Sequence, residues 1–369
     1  MTASPPLRPN PPGRPRARAS LDAIAAYTPG RPAVPRGDQP TYKLSSNETP
    51  LGPLPSVRAV LASEAAVVNR YPDMSCAALY DAISARFDVP VTRLAAATGS
   101  VAVLYHLVQA LCDAGDEVVH AWRSFEAYPI AAAASGARSV PVPLGPGARH
   151  DLDAMADAIT DRTRIVLICT PNNPTGPAVG AAELDAFLDR VPERVLVVVD
   201  AAYQEFVTDR ESVDGLAISR ARPNVAALRT FSKAYGLAGL RVGFAAAPEE
   251  VAAAVRKVAL PFGVSGLAQA AAVASLQPAA EAELMTRVAE VVAERDRMVS
   301  GLRAIGWDVP DTQANFVWLP LADEAVPFAE ACERAGVSVR PFAGDGVRVT
   351  AAEPAAGDRV LDVARRWRR

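Results

Sequence analysis

Two stretches of the chain, "RIVLICT" ending at Thr170 and "VLVVVD" ending at Asp200, are apolar at nearly every position rather than at every second one. A strand with one face in water alternates, whereas a continuously apolar strand is covered on both faces. Such strands belong inside a mostly parallel sheet, whose crossover connections put helices above and below it. The rest of residues 94–250 follows the same rhythm. Short apolar runs at 117–121, 139–144, 165–170, 195–200, 225–229 and 242–247 are separated by helix-like stretches, including 101–114 and 182–191. The expectation is a large three-layer α/β/α domain.

Beyond Pro261 the texture changes. A long helical stretch over about 279–305 precedes "ANFVWLP", a helix from about Pro327, and short strands near 337–340 and 346–349. This reads as a smaller α+β domain. The expected division is a disordered Pro- and Arg-rich tail over 1–20, a segment 21–55 contributing to the small domain, a large domain over 56–262 and a small domain over 263–369. Residues 21–27 have the spacing of a short helix, stopped by Pro29 and Gly30. No apolar run reaches the roughly 20 residues that span a bilayer, and the tail lacks the apolar segment of a secretory signal. A cytoplasmic protein is therefore expected, with no membrane partner. A net charge of −3 over 369 residues gives no electrostatic reason to expect nucleic acid. Four cysteines and three histidines, none at metal-ligand spacing, argue against a metal site.

The chemistry concentrates after the buried strands. "TFSKAYGLAGLR" places Lys233 just beyond one of them, with Arg241 eight positions on. A buried lysine is costly unless it has a task, and desolvation that lowers its pKa frees the amine to attack a carbonyl. A lone lysine here reads more simply as a solvated loop residue; its neighbours in the sequence decide otherwise. Asp200 closes "VLVVVD", at the strand end where α/β sheets bind ligands, with Tyr203 close behind. Taken alone, Asp200 reads equally well as a helix N-cap. "PNNPTG" holds Asn173 between prolines. "TGSV" follows a short strand and opens a helix, a natural seat for a phosphate.

A phosphate seat, an Asn turn, an acid and a lysine followed by a guanidinium thus occur in order. "PNNPTG", "DxxY" and "SKxxGLxGxRxG", together with "LSSNETPLGP" and "NRYPD", resemble the fold-type I aminotransferases, specifically the class II branch of the histidinol-phosphate aminotransferases. The resemblance runs from about residue 20 to the C-terminus. It implies the aspartate-aminotransferase-like fold and pyridoxal 5′-phosphate as cofactor. It also implies that Lys233 holds the cofactor as a Schiff base and shuttles the proton. Asp200 would pair the ring nitrogen, Tyr203 and Asn173 the phenolic oxygen, and Phe125 would stack on the ring. Gly99, Ser100, Val101, Ser232 and Arg241 would hold the phosphate. Arg348 would clamp the substrate carboxylate, and Asn47 and Tyr27 would border its side chain. Tyr71 would reach the cofactor of a neighbouring subunit, implying a homodimer with shared sites. Ala201 departs from the pattern, since the family has an acid directly after the ring-pairing Asp; the cofactor contacts do not depend on it.

Two subfamilies share these motifs. One acts on histidinol phosphate; the other, an actinobacterial aromatic (phenylalanine-type) aminotransferase, accepts an apolar ring and exchanges its amino group with 2-oxoglutarate. "WRSFEAYP", "QANFVWLP" and the ending "ARRWRR" resemble the second. Phe262 and Trp318 offer apolar surface for a ring, although Phe316 and Trp318 read more simply as core of a strand. The aromatic reading is preferred, with histidinol phosphate the alternative. A decarboxylase on the same fold is disfavoured by Arg348, which would keep the carboxylate in the ring plane. A non-catalytic module is disfavoured because lysine and acid are both present.

Overall fold

The structure, a computed structural model, describes residues 18, 21, 24, 26–35 and 40–367. Strand β1 (Tyr42–Lys43) and helices α1 (Pro55–Glu64) and α2 (Ala77–Phe87) lead into a central sheet. Its seven strands are β2 (Leu94–Ala97), β3 (Glu117–Trp122), β4 (Arg138–Pro143), β5 (Thr163–Cys169), β6 (Leu196–Asp200), β7 (Val225–Thr230) and β8 (Gly243–Ala246). Their spatial order is β2-β8-β7-β6-β5-β3-β4, and only β8 runs against its neighbours. Helices α3 (Ser100–Leu111), α4 (Ala127–Ser135), α5 (Leu152–Asp157), α6 (Ala181–Leu188), α7 (Gly215–Ala221) and α8 (Glu249–Val258) alternate with these strands.

The continuous apolar runs have a direct explanation here. Successive side chains of a strand face opposite ways. Ile165, Leu167, Leu196 and Val198 enter one core cluster with Leu107 of α3 and Tyr128 of α4. Val166, Ile168, Val197 and Val199 enter another, with Leu184 and Phe187 of α6. Each such buried side chain is worth about 1.5–3 kcal/mol, so a polar residue on either face would be penalised. The helix expected over 182–191 stops at Leu188, ahead of Pro192, because a residue before proline is pushed out of helical geometry. The helix and tail expected over 21–27 and 1–20 fall largely outside the described residues; Ile24, Ala26 and Tyr27, which are described, lie in no helix.

After the sheet come α9 (Gly266–Ser275), the long α10 (Pro278–Ala304), β9 (Phe316–Leu319), α11 (Ala325–Arg334), β10 (Val337–Ser338), β11 (Arg340–Phe342), β12 (Gly346–Thr350) and α12 (Pro354–Trp367). β11, β12 and β9 form an antiparallel sheet in that order, and β1 pairs in parallel with β10. Leu44 N donates to Ser338 O at 2.7 Å, and Thr350 N to Leu44 O at 3.0 Å. These bonds hold residues 45–47 beside β12. Arg295 of α10, fully buried, donates to the carbonyls of Phe206 (3.0 Å) and Ala314 (3.4 Å) and so ties α10 to the segment after β6. Among the described residues, no helix is long and apolar enough to cross a membrane.

Register delivers the site. Cys169 of β5 lies opposite Asp200 of β6, which lies opposite Leu228 of β7. The segments leaving these strands, 171–176, 201–203 and 231–233, therefore emerge together at the carboxyl edge of the sheet.

Candidate active site

A cavity of about 240 Å³ opens at that edge, closed on its far side by Tyr27, Pro29, Gly30, Ser45 and Ser46 and by β11 and β12. Lys233 lies on its wall. Its Nζ donates to Ser46 O at 3.1 Å and sits 5.8 Å from the centre of the Tyr203 ring. Burial, and then the charge of Arg348, lowers its pKa from 10.5 to about 7, while Glu48 pulls the other way. Near neutral pH a large share of the amine is therefore free base and nucleophilic.

Asp200 is buried, and burial pushes its carboxyl up to about 6. Oδ2 accepts from Tyr128 OH at 2.9 Å, whereas Oδ1 is buried with no hydrogen-bond partner among the described residues. A buried carboxylate oxygen in that state wants a cationic donor. Tyr128 meets the ring of Phe125 edge-on at 5.6 Å, and Phe125 meets that of Tyr27 at 6.4 Å. Phe125 and Tyr27 both line the cavity.

Gly99 precedes α3 with φ +89°, and a Cβ there would fall 2.5 Å from Arg241 Nη2. Only glycine lets that guanidinium pack against the backbone in this conformation. Arg241 Nη1 donates to Ser232 Oγ at 3.1 Å. Ser100 and Val101 begin the helix, so their N–H groups have no intrahelical acceptor. Helix N-terminus, guanidinium and hydroxyls converge as a seat for a dianion.

Arg348 reaches the opposite wall from β12. Its Nη1 donates to Asn173 Oδ1 at 2.5 Å and its Nη2 to Ser45 O at 2.8 Å, both neutral oxygens, and its Nε is buried with no hydrogen-bond partner among the described residues. The guanidinium lies over Phe316 and Phe342, 5.6 and 5.8 Å from their ring centres. Tyr203 is buried against Phe316, its hydroxyl accepts from Asn47 Nδ2 at 2.9 Å, and burial raises its pKa.

The cavity thus brings together Lys233, Asp200, Asn173, Tyr203, Phe125, Ser100, Val101, Ser232, Arg241, Arg348 and Tyr27, with Gly99 shaping the turn beneath. Asn47 is not on its wall; fully buried, it acts through the Tyr203 hydroxyl and Thr350 Oγ1. Tyr71 is 83% exposed and stacks on Phe262 at 4.6 Å, away from the cavity of its own chain. Phe262 therefore does not face a substrate ring in this cavity, contrary to the sequence reading. Trp318 is core: its indole packs on Phe342 and where a Cβ of Gly346 would stand. Sequence reasoning missed Tyr128, Glu126, Arg340 and Phe342. The first two lie within "FEAY", but nothing local reveals that a phenol there faces Asp200.

Pyridoxal phosphate carries a phosphate, a basic ring nitrogen, a phenolic oxygen and an aldehyde, and the residues present fit it. The unpartnered Asp200 Oδ1 suits the ring nitrogen, and the bare-backbone cradle at Gly99 suits the phosphate. Asn173 and Tyr203 are the available partners for the phenolic oxygen, Phe125 for the ring face, and Lys233 for the aldehyde.

Residues 40–361 match the family described as aminotransferase class I and II. An aromatic amino acid aminotransferase of Streptomyces avermitilis is 61% identical over 96% of this chain and 98% of that protein. Among solved structures, a histidinol-phosphate aminotransferase from Sinorhizobium meliloti in complex with pyridoxal-5′-phosphate is 28% identical. It aligns with a TM-score of 0.81 over 88% of this chain and 91% of that one. An aspartate aminotransferase from Thermus thermophilus with maleate aligns with a TM-score of 0.80, at 25% identity, over 88% of this chain and 91% of that one.

Proposed function

The chain belongs to the class I and II aminotransferases, and on that premise we propose that it moves the amino group of aromatic L-amino acids to 2-oxoglutarate. The observation that carries the substrate class is the 61% identity, over nearly the full length of both chains, to an aromatic amino acid aminotransferase. Tyr27, Phe125 and Phe342 on the cavity wall support it, since an apolar ring is best received by aromatic side chains.

Bound pyridoxal phosphate supplies the electron sink for bonds at the substrate Cα. The chain supplies the rest. Asp200 keeps a proton on the ring nitrogen, and the Tyr128 hydroxyl on Oδ2 holds its carboxylate in place. Ser100, Val101, Ser232 and Arg241 anchor the phosphate and so fix the ring's position. Arg348 takes the substrate α-carboxylate, and Asn173, hydrogen-bonded to Arg348, links that clamp to the cofactor's phenolic oxygen. Lys233 Nζ then stands free to take the proton from the substrate Cα and return it on the other side of the transfer. This reading includes a second copy of the chain, whose site receives the exposed Tyr71.

The test is a set of half-reactions of the purified holoenzyme with phenylalanine, tyrosine, tryptophan, histidinol phosphate and glutamate, followed by cofactor absorbance. The best aromatic substrate is expected to exceed histidinol phosphate by at least about tenfold in kcat/KM. The reverse order would assign the chain to histidinol phosphate instead.

The lowered pKa of Lys233 gives a second expected result. Below pH 7 the amine carries a proton and cannot attack; above it the free base predominates. The rate at which apoenzyme captures pyridoxal phosphate should therefore climb through about pH 7 and level off above it. Because the Arg348 charge helps to lower this pKa, Arg348→Gln should move the midpoint upward. A stopped-flow pH series on both proteins checks the position and the direction.

A further inference from the structure

Two guanidiniums stand side by side on the cavity wall. Arg340 of β11 is directly opposite Arg348 of β12, and both line the cavity. Both also lie against the ring of Phe342, 5.0 and 5.8 Å from its centre. Like charges at directly opposed positions of an antiparallel pair repel, so each needs compensation. The two are compensated differently. Arg348 is held by neutral oxygens, which leaves its charge for a substrate carboxylate. Arg340 already holds a carboxylate, donating from Nη2 to Glu126 Oε2 at 2.8 Å, with both side chains mostly buried. Glu126 lines the cavity next to Phe125, and no step described so far uses it.

We propose that Glu126 is an internal counter-anion that sets the side-chain specificity of this pocket. It neutralises Arg340 while a neutral ring is bound and releases Arg340 to the second carboxylate of a dicarboxylic substrate. The proposal rests on the aromatic-to-2-oxoglutarate reading above and explains how one cavity serves both partners. A neutral ring pressed against an unpaired, buried guanidinium would leave a desolvated charge; with Glu126 in place it meets a closed pair. A dicarboxylate brings two anionic groups to two cross-strand guanidiniums and has to displace Glu126 from one of them. Glu126 is placed to yield. Its side chain is the more exposed of the two, and it sits at the N-cap of α4, where the helix dipole favours a carboxylate that has lost its partner.

Glu126→Gln keeps the shape and removes the charge. In half-reactions of the holoenzyme, the ratio of kcat/KM for L-glutamate to that for L-phenylalanine should rise about tenfold or more, as expected when an occupant holding Arg340 most of the time is removed. The rise should disappear in the double variant Glu126→Gln/Arg340→Gln, because the two residues act as one unit. A single-variant ratio within about twofold of the parent's, or a rise that persists in the double variant, overturns the proposal. Histidinol phosphate in the same panel separates this outcome from the substrate reading. A parent enzyme that prefers it to phenylalanine refutes the aromatic assignment, whereas the Glu126 proposal is judged on the variant-to-parent change in the glutamate ratio.

Discussion

Lys233→Ala is expected to lower transamination by at least about four orders of magnitude, the scale on which removing a covalent catalytic group acts. The variant should also lose the visible absorbance of cofactor linked to the protein, while the phosphate seat still binds pyridoxal phosphate non-covalently. The fold should survive, because among the described residues the Nζ donates one hydrogen bond, to Ser46 O. A structural role and a chemical role are then separable. Small primary amines added to the variant should restore part of the rate if Lys233 acts by moving a proton, and should do nothing if it only packs. A variant that keeps parental activity would remove Lys233 from the centre of the mechanism.

Arg348→Ala is the second large effect. Removing one partner from a buried, charged hydrogen-bonding arrangement costs about 2–5 kcal/mol, equivalent to roughly 30-fold to several thousand-fold in kcat/KM. The loss should fall on every substrate that presents an α-carboxylate, aromatic or dicarboxylic alike. Cofactor affinity should change far less, since the phosphate seat proposed at Arg241, Ser232 and the start of α3 does not include Arg348. Arg348→Lys should recover little, because an ammonium cannot reproduce the two parallel donors that a carboxylate needs. Equal losses in cofactor affinity and in turnover would show that Arg348 supports the site rather than clamping the substrate.

The residues legible from the sequence are those whose task is fixed by the strand they follow. Asp200 closes a continuously apolar run and Lys233 lies three residues beyond strand β7, and such strands predict the sheet edge where ligands bind. Gly99 and Asn173 were readable for the same reason, as turn residues just beyond strands. Phe262 shows the limit of that logic. It lies in an apolar stretch that suits a pocket, yet its backbone directs it outward onto Tyr71. Resemblance places Asn47 beside the substrate side chain, whereas in the fold it is buried and donates to the Tyr203 hydroxyl.

The three-layer fold follows from the periodicity of the sequence itself, and the short motifs that set Lys233 in order with Asp200, Asn173 and Arg241 carry the family resemblance that implies the cofactor. Which residues compensate the charges in the cavity was decided by tertiary structure alone. Tyr128 meets Asp200 across 72 positions, Arg348 meets Asn173 across 175, and Arg340 meets Glu126 across 214. Such pairings depend on strand register and on how the small sheet closes over the large one, and no spacing along the chain records either. The physical reason is that burying a charge requires a partner in space, and only the folded chain chooses that partner.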